Sequence, residues 1–251
     1  MKEDLHLHTY FSPDAHCSME ELAEEAAAKG VSVLCFTDHV EMAGYETYSS
    51  FDFAGRREAF RAVREKYAGR VKLLIGLEFG EPNRFWDTYQ KVLKGEDYDM
   101  IIGSVHTPTD ARFDRSQKLT PEQHSQWHYE ATLQMVKKGG FDVLGHLDFP
   151  KKFVSDFIEN VEMSELILDE CIRQGIVPEI NTSTLRRGLT EPCPTMKLVE
   201  YYATHGGRYV TIGSDSHTTG TVAADYDWVM QRLPKGLEVC YFEQHKLVPL
   251  K

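Results

Sequence analysis

Short runs dense in Val, Ile, Leu, Cys and Phe alternate along this chain with longer segments in which apolar residues recur every three to four positions. The first pattern is that of buried strands, the second that of amphipathic helices. Strands are predicted at Lys2–Leu7, Val31–Thr37, Val71–Leu77, Asp99–Ser104, Val143–Gly145, Ile176–Ile180 and Tyr209–Gly213, with a last short one at Glu238–Phe242. Helices are predicted over Met19–Lys29, Phe53–Tyr67, Pro82–Lys94, Thr120–Lys138, Val161–Gln174, Pro194–His205 and Thr219–Leu233. The punctuation agrees. Ser18 with Glu21 three residues on reads as a capping box, Thr120 and Pro121 as a helix start, and Gly30, Gly139-Gly140, Gly175 and Gly206-Gly207 as stops.

Strands alternating with helices imply βαβ units and a parallel sheet. Seven such units fit a distorted (β/α)7 barrel, TIM-barrel-like, and residues 1–251 suit one domain of that kind. Polar residues sit where barrel strands end. His6 and His8 close the first strand, and Asp38-His39 follow the second. Glu78, His106 and His146 follow the third, fourth and fifth; Asp215 and His217 follow the seventh. The C-terminal ends of barrel strands converge on one rim, where such folds build their sites. On a regular strand His6 and His8 share a face, with Leu5 and Leu7 on the other.

Composition narrows the partners. A hydrophobic share of 41% and a charged share of 27% are ordinary for a globular protein. The net charge of −11 argues against a general nucleic-acid binder. It admits a small phosphorylated substrate, because bound divalent ions would reverse the local sign. The chain opens on charged residues and a strand rather than a leader, and no apolar run reaches the ~20 residues of a membrane span. Five cysteines without CxxC spacing read as free thiols in a reducing cytoplasm.

The candidate ligands are His6, His8, Asp14, His39, Glu78, His106, His146, Asp215 and His217. Nine are too many for one ion, so two or three divalent ions sharing bridging carboxylates are expected. Imidazole with carboxylate suits Zn, Mn or Fe. Other residues fall outside this set. His124 and His128 share a helix face expected to be exposed, His205 and His245 read as surface histidines, and Phe51, Phe53, Phe85 and Trp86 read as packing.

The motifs His6-Leu7-His8-Thr9, Thr37-Asp38-His39, Gly76-Leu77-Glu78, Gly103-Ser104-Val105-His106, Gly145-His146-Leu147-Asp148 and Gly213-Ser214-Asp215-Ser216-His217 resemble, in order and spacing, those of the PHP (polymerase and histidinol phosphatase) family. Gly145 to Lys152 and Glu179 to Arg186 further resemble its monofunctional histidinol-phosphatase branch. The resemblance implies a distorted seven-stranded barrel with a trinuclear centre. His6, His8, Glu78 and Asp215 would hold one ion, and Glu78 would bridge to a second held by His106 and His146. Asp14, His39 and His217 would hold the third, with Asp14 standing where many members have histidine.

The implied activity is hydrolysis of a phosphate monoester, L-histidinol phosphate first. The alternative is a nucleotide or another small phosphoester. Glu78, Asp215 and His217 would be catalytic. Arg186, with Arg187 beside it, and Lys152, where the family favours arginine, would meet the phosphate. Glu81 or Glu41 would meet the substrate ammonium.

Overall fold

The computed structural model describes residues 1–42, 47–95, 97–107, 119–153 and 157–251. Its strands are β1 (Glu3–Asp4), β2 (Val33–Phe36), β3 (His39–Val40), β4 (Lys72–Gly80), β5 (Met100–Ser104), β6 (Val143–Leu144), β7 (Val177–Asn181), β8 (Tyr209–Gly213), β9 (Glu238–Glu243) and β10 (Lys246–Pro249). The sheet runs β1-β2-β4-β5-β6-β7-β8-β9-β10, parallel up to β9 and antiparallel at the final hairpin. The two-residue β3 pairs with the upper end of β4, in a register that sets His39 beside Glu78.

Helices α1 (Met19–Ala28), α2 (Phe53–Lys66), α3 (Trp86–Gly95), α4 (Pro121–Lys138), α5 (Val161–Gln174), α6 (Ser183–Arg186), α7 (Met196–Thr204) and α8 (Tyr226–Met230) fall between or after the strands. The capping box at Ser18 forms as expected. The Glu21 amide donates to Ser18 Oγ at 3.1 Å and the Ser18 amide to Glu21 Oε2 at 2.8 Å. Thr120 and Gln123 make the same arrangement at the start of α4.

The alternation of each strand sorts side chains into two layers. Cys35, Leu74, Met100, Ile102, Val143 and Val177 pack together inside the barrel. Leu34, Phe36, Leu73 and Ile75 pack outward with residues of α1 and α2, and Leu77, Ile101, Leu144 and Ile180 outward with residues of α3, α4, α5 and α7. Fully burying one such aliphatic side chain stabilises by roughly 1.5–3 kcal/mol. Above the apolar interior the inward positions turn polar: Glu78, Ser104, Glu179 and Asn181 are all buried.

The ladder among the described residues is open, and a seam of backbone bonds joins its first strand to β8. The Leu5 amide donates to Ile212 O at 3.1 Å, the Asp215 amide to His6 O at 2.7 Å and the His8 amide to Ser216 O at 2.7 Å. Asp4 reinforces the seam, its carboxylate accepting the Ser214 amide at 2.8 Å, the Ser214 hydroxyl at 2.5 Å and the Ala223 amide at 2.7 Å.

Two departures from the pattern bear on the rim and the seam. Leu5 packs inside the barrel while Leu7 packs outside with α1 and α2, so strict alternation ends before His6. The helix expected over Thr219–Leu233 shrinks to Tyr226–Met230. Side-chain carboxylates have taken the backbone donors that precede it: Glu25 accepts from Gly220 and Val222, and Asp4 from Ala223.

Candidate metal centre

Each candidate ligand reaches the upper rim for a local reason. Glu78 lies within β4, facing inward on the same period as Leu74 and Gly76. Gly76 has no room for a side chain, since a Cβ there would lie 2.5 Å from Met100 O. His106 and His146 follow β5 and β6 directly, while His6 and His8 follow β1. Asp215 adopts a left-handed backbone (φ 54°), which turns the chain beyond β8 back over the rim.

These side chains converge on Glu78. Its Oε2 lies 3.1 Å from His6 Nε2, 3.5 Å from His8 Nε2 and 2.9 Å from His39 Nδ1. Its Oε1 lies 2.8 Å from His146 Nε2 and 3.2 Å from His106 Nε2. Asp215 Oδ1 is 3.4 Å from His8 Nε2 and 3.9 Å from His6 Nε2. On the open side, Asp14 Oδ2 is 3.2 Å from His217 Nε2 and 3.7 Å from His39 Nε2. The rings of His8 and His39 stack with centroids 4.0 Å apart.

Five overlapping groups among the described residues could hold ions: His6, His8 and Glu78; His6, His146 and Asp215; Glu78, His106 and His146; His39, Glu41 and His106; His8, His39 and His217. In each group the donor atoms lie within 4.8 Å of one another. The chemistry of the donors also fits. His6 Nε2, His8 Nε2, His39 Nδ1 and Glu78 Oε2 are buried without a hydrogen-bond partner. Unpartnered buried polar atoms are costly, and four of them around one point suit cations. Burial alone would raise the Glu78 carboxyl, but His6, His106, His39 and His146 hold it well below the usual range. Burial, with His39 and His217 nearby, pushes His8 well down, so its imidazole is neutral and able to ligate.

Above the centre opens a cavity of about 710 Å³, lined among others by Asp14, His39, Glu41, His106, His146, Asp215 and His217. Arg186 and Arg187, both exposed, form its cationic wall. Arg186 Nη2 donates to Ser214 O at 2.7 Å. Phe149 and Phe153 form an aromatic wall, with Phe149 packed on His106 and His146 and Phe153 63% exposed.

The remaining expected residues sit elsewhere. Lys152 is buried with its Nζ paired to Asp215 Oδ2, and it does not line the cavity. Glu81 is also buried and off the cavity. Its Oε1 accepts the amides of His106 (2.7 Å) and Thr107 (2.9 Å), and burial beside Glu41 raises its carboxyl to about 7. It holds the His106 loop by these two bonds, away from the cavity where a substrate ammonium was expected to meet it. Glu41 does line the cavity, with Oε1 2.7 Å from His106 Nδ1.

His128 is another correction. It is buried rather than on an exposed helix face, with Nε2 2.7 Å from Leu147 O, next to His146. Residues 43–46 and 108–118 lie outside the described residues.

Sequence reasoning gave no role to three supports. Glu179 touches His6 and the His146 amide, Asp38 is a buried strut, and Arg56 anchors that strut. A charged residue at an inward period-2 position of a strand was the available signal for Glu179.

Among the described residues no helix is long and apolar enough to cross a membrane. The PHP domain family model matches residues 4–183. The probable histidinol-phosphatase of Thermotoga maritima is 30% identical over 251 residues, covering 99% of this chain and 98% of its own. That of Deinococcus radiodurans is 30% identical over 262 residues, covering 98% of each. The histidinol phosphate phosphatase of Lactococcus lactis, in a crystal structure complexed with zinc, L-histidinol and phosphate, superposes with a TM-score of 0.86 at 24% identity over 98% of both chains. The distorted TIM-barrel-like fold is thus shared with solved structures, and by the match over residues 4–183 this chain belongs to the PHP domain family.

Proposed function

We propose that the chain is a metal-dependent phosphomonoesterase of the cytoplasm that hydrolyses L-histidinol phosphate to L-histidinol and phosphate in histidine biosynthesis, with residues 1–251 acting as one PHP-type domain. The observation that carries the chemistry is the convergence of the unpartnered His6 Nε2, His8 Nε2, His39 Nδ1 and Glu78 Oε2 beneath a cavity with a cationic wall. The substrate reading rests on the activity named for relatives that match this chain almost end to end.

His6, His8, Glu78 and Asp215 would hold one ion, Glu78, His106 and His146 a second, and His39 and His217 with Asp14 a third. Divalent ions there (zinc, manganese or iron) supply a water nucleophile active at neutral pH and positive charge opposite the charge that builds at phosphorus. Arg186 and Arg187 draw the phosphate in, and a guanidinium matches two of its oxygens at once. The bond from Arg186 to Ser214 O fixes the direction of that fork. Lys152 acts from behind, neutralising and orienting Asp215. Burial alone would raise the Asp215 carboxyl, but Lys152 and His6 hold it well below the usual range, so it faces the cavity as a carboxylate and serves as a ligand. The leaving alkoxide takes its proton from water in the open cavity. Glu41 offers a negative neighbour to the substrate ammonium, and Phe149 and Phe153 offer apolar faces to its imidazole.

The test is phosphate release from L-histidinol phosphate by protein loaded with Mn, Zn or Fe, beside a nucleotide monophosphate and an aryl phosphate. Turnover of histidinol phosphate at least about a hundredfold more efficient (about 2.7 kcal/mol of transition-state discrimination) supports the assignment. Activity confined to the other esters keeps the metal chemistry and removes the substrate.

A further inference from the structure

Glu179 is a charged side chain on β7, where the alternation points it into the barrel between the apolar interior and the rim. It lines no part of the cavity, and both of its oxygens are engaged. Oε1 lies 2.7 Å from His6 Nδ1. Oε2 accepts the His146 amide at 2.9 Å and the Asn181 Nδ2 at 3.2 Å, and that same Asn181 nitrogen lies 3.4 Å from Asp215 Oδ2. One carboxylate therefore touches His6 through its ring, His146 through its backbone and Asp215 through one amide. The neighbouring strand makes room for it: a Cβ on Gly213 would fall 2.2 Å from Glu179 Oε1 and 2.4 Å from His6 Cβ.

We propose that Glu179 is the positioning residue that selects the ligating face of His6 and locks the His6, His146 and Asp215 ligands into one frame. This rests on the metal reading above and goes beyond it. An imidazole whose Nδ1–H is held by a carboxylate carries its lone pair on Nε2 and gains basicity. His6 Nε2 is the buried, unpartnered atom 3.1 Å from Glu78 Oε2, where an ion would sit. Glutamine at 179 keeps an acceptor for His6 but turns an NH₂ toward the His146 amide, so that donor meets donor. Aspartate keeps the charge but withdraws it by one methylene.

The experiment measures divalent-ion affinity and stoichiometry on purified, metal-stripped protein, by competition of Mn or Zn with a chromogenic chelator, without substrate. E179Q and E179D are each compared with the wild type, and circular dichroism checks the fold. Binding weakened about 10- to 100-fold, with an altered visible spectrum of the Co(II)-loaded variant, is expected. Wild-type affinity and spectrum in either folded variant would overturn the proposal.

A second measurement needs no variant. In the zinc-loaded wild type, long-range ¹⁵N–¹H spectra should show His6 protonated at Nδ1 and unprotonated at Nε2, and the opposite tautomer refutes the role. A wild type that binds no divalent ion removes the metal reading together with this proposal. Binding that is normal in the wild type and unchanged in the variants removes this proposal alone.

Discussion

Replacing Arg56 by methionine should be among the most destabilising single changes in the molecule, although the residue lies on a helix away from the cavity. Arg56 is buried on α2, with Nε 2.6 Å from Asp38 Oδ2 and Nη2 donating to Phe36 O at 3.0 Å and Gly76 O at 2.7 Å. Asp38 spends its other oxygen on the loop after β1. Oδ1 accepts the Thr9 amide (2.7 Å), the Thr9 hydroxyl (2.8 Å) and the Ser12 hydroxyl (3.0 Å). Ser12 Oγ in turn accepts the His39 amide at 3.0 Å and lies 3.3 Å from His8 Nδ1.

Methionine fills much of the arginine volume but leaves a buried carboxylate without its counter-charge, a defect of about 3–5 kcal/mol. The carbonyls of Phe36 and Gly76 lose a charged donor at the same time. Against a typical domain stability of about 5–15 kcal/mol the loss is large. Urea unfolding of the metal-free protein, followed by circular dichroism, measures it. The double variant with Asp38→Asn should recover part of the loss, with a coupling of about 0.5–3 kcal/mol. A single variant within about 1 kcal/mol of the wild type, or effects that simply add, would refute the idea that this pair braces the ligand loop.

Four further outcomes are expected. Glu78→Gln should lower bound metal in elemental analysis and reduce phosphatase activity by orders of magnitude while the circular dichroism spectrum is kept; full metal content in a folded variant contradicts the convergence on Glu78. Arg186→Ala should raise the Michaelis constant for a phosphate ester far more than it changes metal content, and loss of metal instead would make its bond to Ser214 O the part that matters. Phe153→Ala should weaken histidinol phosphate by about 1 kcal/mol, roughly fivefold in KM, and leave glycerol phosphate unchanged; equal effects on both esters would assign Phe153 a general rather than a ring-recognising role. His245, raised by its bond to Asp142 (2.8 Å), should add stability that is complete below the ordinary histidine value near 6.5 and lost as pH rises through its elevated one. With the side chain 46% exposed, the effect should be a few tenths of a kcal/mol, seen as a difference from His245→Gln in melts below pH 6 and absent well above it.

The rim residues were legible in the sequence because barrel geometry places strand ends together whatever the intervening helices contain. His6, His8, Glu78, His106, His146, Asp215 and His217 follow from spacing alone, and their mutual approach of about 3 Å is what the structure adds. Glu179 and Asp38 were harder. A buried carboxylate that meets imidazoles and amides looks, in a string of letters, like any charge beside an apolar run. His128 was misread because α4 buries the face that holds Ser125, Tyr129 and Thr132 along with it, a choice made by packing against the loop after β6. The short α8 could not be foreseen either, since the residues that capture its expected first turn, Asp4 and Glu25, lie some 200 positions away.

The seam between β1 and β8 has a consequence for how the protein is made. Bonds such as Glu3 to Ile212 and Asp4 to Ser214 join residues 209 and 210 positions apart. A chain emerging from a ribosome presents His6 and His8 early, yet Asp215, the second carboxylate beside those imidazoles, arrives only when some two hundred more residues have been added. An ion held there would meet a nearly finished fold and act as its final clasp rather than as a template for its first turns.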